Sequence, residues 1–324
     1  MKKIVALLTM MILVLTLLIG CGSNQKQEER TFRIATQYTG FGYYANALMK
    51  EFGLLEKHLP DGVTVEWHDI VSANEMRDAL ISGQVDLTGF STPSITTAIQ
   101  NGMPIVFVSH IGANTVRLYS NKKDITSYDT LKPDHRISVP TLGTTVHSAF
   151  LIGAINDLGS ADKFENSITI LPNADAVTAL ISGMDGIDVI GSPFPTLLAL
   201  EEAENVHMIR DLSNEIVEYG IGTVMGTTKE FAEQNPDLLD AYLSALDDVC
   251  IMLAEDQESC LDLLMDTYGC DTEVGREMLD FFLASMEYDG EKYDKLMGFL
   301  YERGFLEKPA PTFVELPKYV RSGS

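Results

Sequence analysis

A helix ending in Ala-Leu-Ile-Ser-Gly, then a turn, then a short apolar run that starts at an aspartate, occurs twice in this chain, one hundred residues apart. The first copy spans Met76 to Asp86 around Ala79-Leu-Ile-Ser-Gly83, and the second spans Ala176 to Asp188 around Ala179-Leu-Ile-Ser-Gly183. In both, apolar residues at helical spacing stop at a glycine, and a strand-like segment follows. Two copies are too few for a solenoid, whose units each need stacked neighbours. The repeat therefore marks the same structural step in each of two similar α/β lobes.

The segments around each copy alternate in the same way. Strands are expected at Thr31–Thr36, Val63–Ile70, Val85–Thr88 and Ile105–Ser109, with helices at Tyr43–Phe52, Asn74–Ser82 and Pro93–Gln100 between them. The order then restarts, with strands at Arg117–Ser120, Ile137–Val139, Ser167–Leu171 and Asp188–Ile190 and helices at Val146–Leu158 and Ala174–Ser182. Strand–helix alternation predicts mostly parallel sheets with helices on both faces. From Asn235-Pro236, an N-cap followed by proline at the first helical position, the pattern becomes helical only. This block is expected to pack on the first lobe. Asp86, Asp188 and Asp69 are expected to cap turns.

At the N-terminus, Lys2 and Lys3 precede an apolar stretch from Ile4 to Ile19, and a small residue then precedes Cys21. The stretch is 16 residues long, short for a membrane span of about 20. This is the layout of a cleaved export signal, and Leu18-Ile-Gly-Cys21 resembles the bacterial lipoprotein box, which implies lipidation of Cys21. Residues 21–30 read as a polar tether. A chain beginning at Cys21 has 304 of the 324 residues, with 21 Lys and Arg against 47 Asp and Glu, a net charge of −26. Such a surface repels nucleic acid and anionic headgroups. Of the other cysteines, Cys260 and Cys270 are able to pair if the chain turns back near Gly269. Cys250 and Cys260 on one helix would stand about 15 Å apart, too far for a disulfide. The alternative is that all three are small buried apolar residues. No cysteine–histidine cluster suggests a metal, and no cofactor or catalytic residue is indicated.

Four loops follow strand C-termini, where open α/β sheets place ligands. They are Gln37-Tyr38-Thr39-Gly40, Gly89-Phe90-Ser91-Thr92-Pro93-Ser94, Leu142-Gly143-Thr144-Thr145-Val146-His147-Ser148 and Gly191-Ser192-Pro193-Phe194-Pro195. Glycine and hydroxyl residues at helix N-termini offer unpaired amides and hydroxyls, which suits an oxyanion. They serve equally as plain N-caps. His147 faces the cleft as a donor or decorates the surface.

The chain resembles the solute-binding lipoproteins of ABC importers, in the branch for sulfonate, taurine, nitrate and thiamine-pyrimidine precursors. The likeness is carried by Gly53-Leu-Leu-Glu56 before Val63-Thr-Val-Glu-Trp67, by Ala79 to Leu87, and by Ala98-Ile-Gln-Asn-Gly102. It continues in Gly143-Thr-Thr-Val-His-Ser148, which is similar to the family's Gly-Ser-Ser/Thr-x-His turn, and in Thr228 to Leu238. It implies an α/β, two-lobed, periplasmic-binding-protein-like clamp of type II. Lobe 1 would comprise 31–113 and 220–324 with the helical block, and lobe 2 would comprise 114–219. Crossings would fall near Ile111–Thr115 and Glu218–Gly222. The resemblance implies ligand contacts from Gln37, Tyr38, Ser91, Thr92, Thr144, Thr145 and Ser192. It also implies a permease and its ATPase as partners, and a monomeric chain held extracytoplasmically at the membrane.

Relatives that bind alkylsulfonates often carry Trp-Asp-Pro at the fourth loop, where this chain has Gly191-Ser192-Pro193. No arginine sits in the four loops, and Arg117 is the nearby candidate for an anion. The expected activity is capture of a small oxyanion without catalysis. Alternatives are a pyrimidine or other heterocycle in the same clamp, a ligand sensor, or an enzyme like the eukaryotic pyrimidine synthases, whose cysteine-rich motif is absent here.

Overall fold

The structure, a computed structural model, describes residues 30–164 and 166–321. The signal-like segment, Cys21 and residues 22–29 of the expected tether lie outside the described residues. Arg30, assigned to the tether by sequence, already opens the first strand and pairs with Asp237.

Strand β1 (Arg30–Thr36) runs parallel to β2 (Val63–Asp69), with Phe32 opposite Val65 and Ile34 opposite Trp67. Between them a single 3-10 turn, Phe41–Tyr43, leads into α1 (Tyr44–Glu51). Helix α2 (Ala73–Ile81) follows, capped by Ser72, whose side chain accepts the Glu75 amide. Leu87 bridges β1 in parallel, and β3 (Thr88–Ser91) starts one residue later, further along than expected. Helix α3 (Thr92–Gln100) and β4 (Ile105–Gly112) complete this run.

The chain then enters a second sheet. Its elements are β5 (Val116–Ser120), β6 (Ile137–Val139), α4 (Thr145–Leu158), β7 (Ile168–Ile170), α5 (Asn173–Ser182), β8 (Val189–Pro193), α6 (Leu198–Glu201), β9 (His207–Asp211) and α7 (Ser213–Glu218). The chain returns to the first sheet as β10 (Thr223–Thr228), which lies between β3 and β4.

In the first body β1 and β2 form a parallel pair and β3–β10–β4 is antiparallel, while the five-stranded sheet β7–β6–β8–β5–β9 is mixed, which corrects the mostly parallel expectation. β10 is antiparallel to both its neighbours, and β5 is antiparallel to β8 and β9, while β6 is parallel to β7 and β8. The reversed strands are those that carry the chain between the two sheets. β5 follows β4, and β10 follows β9 and α7, from the other sheet, so neither closes a strand–helix–strand unit with a neighbour in its own sheet and nothing requires it to run parallel. β9 and β10 have no counterpart in the sequence reading.

The repeated step is the same in three dimensions. Gly83 and Gly183 take left-handed φ values of +73° and +68° where α2 and α5 end. A carboxylate oxygen of Asp86 accepts the Arg33 amide at 2.8 Å, and one of Asp188 accepts the Arg136 amide at 2.8 Å. The Asp86 and Asp188 amides donate back to the carbonyls of Arg33 and Arg136 at 2.7 and 2.9 Å. Each aspartate thus locks the entry of a buried strand to the strand beside it. Asp69 accepts the Tyr38 amide at 3.2 Å.

Helices α8 (Lys229–Gln234), α9 (Pro236–Glu255), α10 (Gln257–Tyr268), α11 (Thr272–Met286) and α12 (Gly290–Glu302) form the C-terminal block. Leu239, Tyr242, Val249 and Leu253 of α9 are fully buried in the core that also holds Tyr44 and Leu48 of α1. The block also reaches the second sheet, beyond the first lobe alone. Arg117 of β5 pairs with Glu277 of α11, Arg303 pairs with Asp162 at 2.6 Å, and Phe305 meets His147. The three later cysteines are free, and Cys260 is buried, Cys270 partly buried and Cys250 exposed. The pairing of Cys260 with Cys270 is not formed, and burial of all three does not hold. No helix among the described residues is long and apolar enough to cross a membrane.

Candidate ligand-binding site

Between the two sheets lies a cavity of 580 Å³. The first body contributes Asn74 and Arg77 of α2 and Ser91 and Ser94 at the start of α3, and the second contributes Gly143, Thr144 and Thr145 at the start of α4. Leu300, Phe305 and Leu306, from α12 and the turn after it, cover one side.

The two helix starts are made differently. At α3, Ser91 is extended and its hydroxyl accepts the Ser94 amide at 3.3 Å, with Pro93 in the first turn. The Ser91 and Ser94 hydroxyls share a second hydrogen bond at 2.6 Å. At α4, Thr144 makes no capping bond, and its hydroxyl donates to the Thr141 carbonyl at 2.8 Å. The preceding turn is held instead by His147, whose Nδ1 accepts the Gly143 N–H at 3.0 Å. Gly143 has φ +71°, a left-handed value that suits glycine. His147 is 3% exposed, and burial lowers its pKa to about 4. With Nδ1 accepting, the neutral ring carries its proton on Nε2. His147 is thus a buried staple of the turn, not surface decoration, and its ring also lines a second cavity of 350 Å³ beside the first.

Of the eight residues singled out as ligand contacts from sequence, Ser91, Thr144 and Thr145 line this cavity. The other five are placed elsewhere. Thr92 is buried, and its hydroxyl lies 3.3 Å from the carbonyls of both Gly220 and Gly222, which ties α3 to the returning chain. Ser192 is buried, with its hydroxyl 2.9 Å from that of Thr196. Beside it, Phe194 stands edge-on to Phe41 at 5.1 Å, so the fourth loop packs against the first body. The Tyr38 ring lies under the Lys50 ammonium at 4.2 Å, and the Gln37 side chain folds against Gly40.

Arg117 does not serve as the anion's partner. It is 6% exposed and bound by Glu201 at 2.7 Å, Asp211 at 3.0 Å and Glu277. Burial alone would lower its pKa, but the carboxylates hold it raised and charged. The cationic side chain on the cavity is Arg77, whose described partner is its neighbour Asp78 at 3.1 Å. Sequence reasoning missed it because the search was confined to loops. The available signal was Asn74 and Arg77, three residues apart on one helix face. Among the described residues no three His, Cys, Asp or Glu side chains are grouped to hold a metal.

Residues 25–260 match the model of the NMT1-like family. The taurine-binding periplasmic protein of Escherichia coli K12 is 28% identical over 192 residues. That match takes in 57% of this chain and 57% of the relative, so the chain spans less than two thirds of that protein's length. The periplasmic aliphatic sulphonate binding protein SsuA from Escherichia coli superposes with a TM-score of 0.68 at 20% identity, covering 89% of this chain and 97% of that one. A ligand binding component of an ABC-type import system from Staphylococcus aureus, solved with zinc bound, gives 0.72 at 14% identity, covering 90% and 100%. At such identities the likeness speaks for the fold, a two-lobed periplasmic-binding-protein clamp.

Proposed function

The chain belongs to the NMT1-like family, and from that premise we propose that it is the solute-binding component of an ABC importer. In this reading residues 31–113 and 220–324 form one lobe and 114–219 the other, and they close over a small oxyanion such as a sulfonate, taurine or nitrate. The clamp is monomeric, is tethered outside the cytoplasm through lipid on Cys21, and hands its solute to a permease and its ATPase without chemical change.

One observation carries the ligand class. The starts of α3 and α4, one from each sheet, converge on the same cavity beside Arg77. Helix N-termini present unpaired amides and the positive end of the helix dipole, and both favour an anion. A guanidinium adds charge-assisted hydrogen bonds. These local donors act at contact range, whereas the acidic surface is screened by salt over about 10 Å. The polar lining groups named are hydroxyls, amides and one arginine, which suit holding a ligand.

A thermal-shift screen of taurine, alkylsulfonates, nitrate, bicarbonate and pyrimidines tests this reading. A ligand at 100 times its dissociation constant adds about 2.7 kcal/mol. Stabilisation by oxyanions supports the reading, and stabilisation by a pyrimidine alone replaces it. For the tether, labelled palmitate should enter the wild-type chain and not Cys21→Ala. Equal labelling of both ends the lipoprotein reading.

A further inference from the structure

A second cavity, of 350 Å³, adjoins the first, and the inference drawn from it rests on the oxyanion reading above. Its walls include Leu151, Phe164, Ile168 and Ile170 of the second body, and Phe305 enters from the turn after α12. Leu142 and Phe305 line both cavities, so the two are neighbours across these side chains. The Phe305 ring stands edge-on to His147, with centroids 5.0 Å apart. Its backbone is fixed, because Gly304 turns with φ +73° and the Phe305 amide returns to the Leu300 carbonyl at 2.9 Å. At the rim Arg303 pairs with Asp162, so the cavity has walls from both ends of the fold.

Apart from the neutral His147 ring, the walls are aliphatic and aromatic, and the two charges at the rim neutralise each other. Ile170 is 59% exposed and Leu142 49%, apolar surface at the mouth that an apolar group would cover. We propose that this cavity is a tail subsite. A ligand whose oxyanion lies against α3 and α4 runs an unbranched apolar chain past Phe305 into it. This narrows the ligand to a sulfonate with a hydrocarbon tail. Taurine would bring a second charge into an apolar pocket, and nitrate has no tail.

Calorimetric titration of the full chain with methanesulfonate, butanesulfonate and octanesulfonate tests the proposal. Affinity should rise about fourfold per buried methylene. Ile170→Glu places a carboxylate on the wall at an exposed position that the fold tolerates, and it should collapse the ratio of octanesulfonate to methanesulfonate affinity toward one. Ile170→Ser, a milder change, should reduce the same ratio. If methanesulfonate binds and chain length makes no difference, or if both variants keep the wild-type ratio, the tail subsite is wrong and the oxyanion reading stands. If no sulfonate of any length binds, the oxyanion reading fails and the subsite fails with it.

Discussion

The starts of α3 and α4 face one cavity from opposite sides, yet one is closed on itself and the other is held from behind. Ser91 satisfies an amide of its own helix, whereas Thr144 turns away to Thr141 and leaves the start of α4 without a side-chain cap. Forgoing a cap costs about 1 kcal/mol of stability. At α4 the turn is secured instead by the buried His147, which grips Gly143 from the first turn of the helix. A helix start fixed in this way keeps its shape while its amides stay available to a ligand. The comparison assigns α3 a mainly structural share of the site and α4 the larger share of anion contact.

The largest test of the comparison is acidification. The His147 ring has a folded pKa of about 4 against about 6.5 when unfolded. As pH falls, the unfolded chain therefore takes up the proton first. The stabilisation is complete above about pH 6.5 and is lost as pH drops toward 4. The loss is roughly 3 kcal/mol for this ring. His147→Gln should be less stable than wild type at pH 7, and the gap should close by about that amount at pH 4 in urea titrations. A gap that does not change with pH would mean that the ring is not a neutral staple. His110, also lowered to about 4 by burial, adds a similar dependence to both proteins and cancels in the difference.

Next comes Arg77→Gln. It removes a charged donor from the α3 side, so affinity for an oxyanion should fall by about 1.5–3 kcal/mol, tenfold or more. Stability should hardly move, because the side chain is 37% exposed and its described ion pair is with its neighbour Asp78. Unchanged affinity would place the anion wholly on α4.

A smaller effect is expected from Thr145→Ala, which removes a hydroxyl at the start of α4. Affinity should drop roughly threefold to tenfold, about 0.5–1.5 kcal/mol. Thr228→Ala serves as the control. Thr228 caps α8 through the Phe231 amide and lies off the cavity lining, so its loss should cost stability and spare affinity. If both variants bind equally well and both lose stability, the loops are caps and nothing more.

The subtlest comparison is between Ser91→Ala and Thr144→Ala, each measured without ligand. The first should cost about 1 kcal/mol and the second a few tenths, since only Ser91 caps its helix. Equal losses would erase the distinction on which the assignment of roles rests.

The two-fold repetition of α/β structure was legible because it is written in local patterns. Gly83 and Gly183 end helices, Asp86 and Asp188 lock strand entries, and Ser72 and Thr228 cap their helices through their own side chains. What stayed hidden depends on distant partners. The antiparallel placement of β10 is set by where the returning chain re-enters, and six residues carry no mark of that. The binding of Arg117 by carboxylates from α6, β9 and α11 joins residues up to 160 apart. Within the site, hydroxyl-rich loops were visible. Arg77 showed only in its spacing from Asn74 on one helix face, and Phe305 after the last helix not at all, because only the assembled fold brings both to the cavity.

The position of β10 also imposes an order on assembly. The first sheet lacks its inner strand until residues beyond 222 arrive, because β10 must slip between β3 and β4. Bringing those segments together closes a loop that contains the whole second sheet. The strands of that second sheet come from one uninterrupted stretch, β5 to β9. Closing long loops is entropically costly, and contacts distant in sequence form late. The inserted sheet is therefore expected to condense first and to shorten the gap that β3, β4 and β10 must span. Binding competence would then be the last property the chain acquires, after its final helix has covered the cleft.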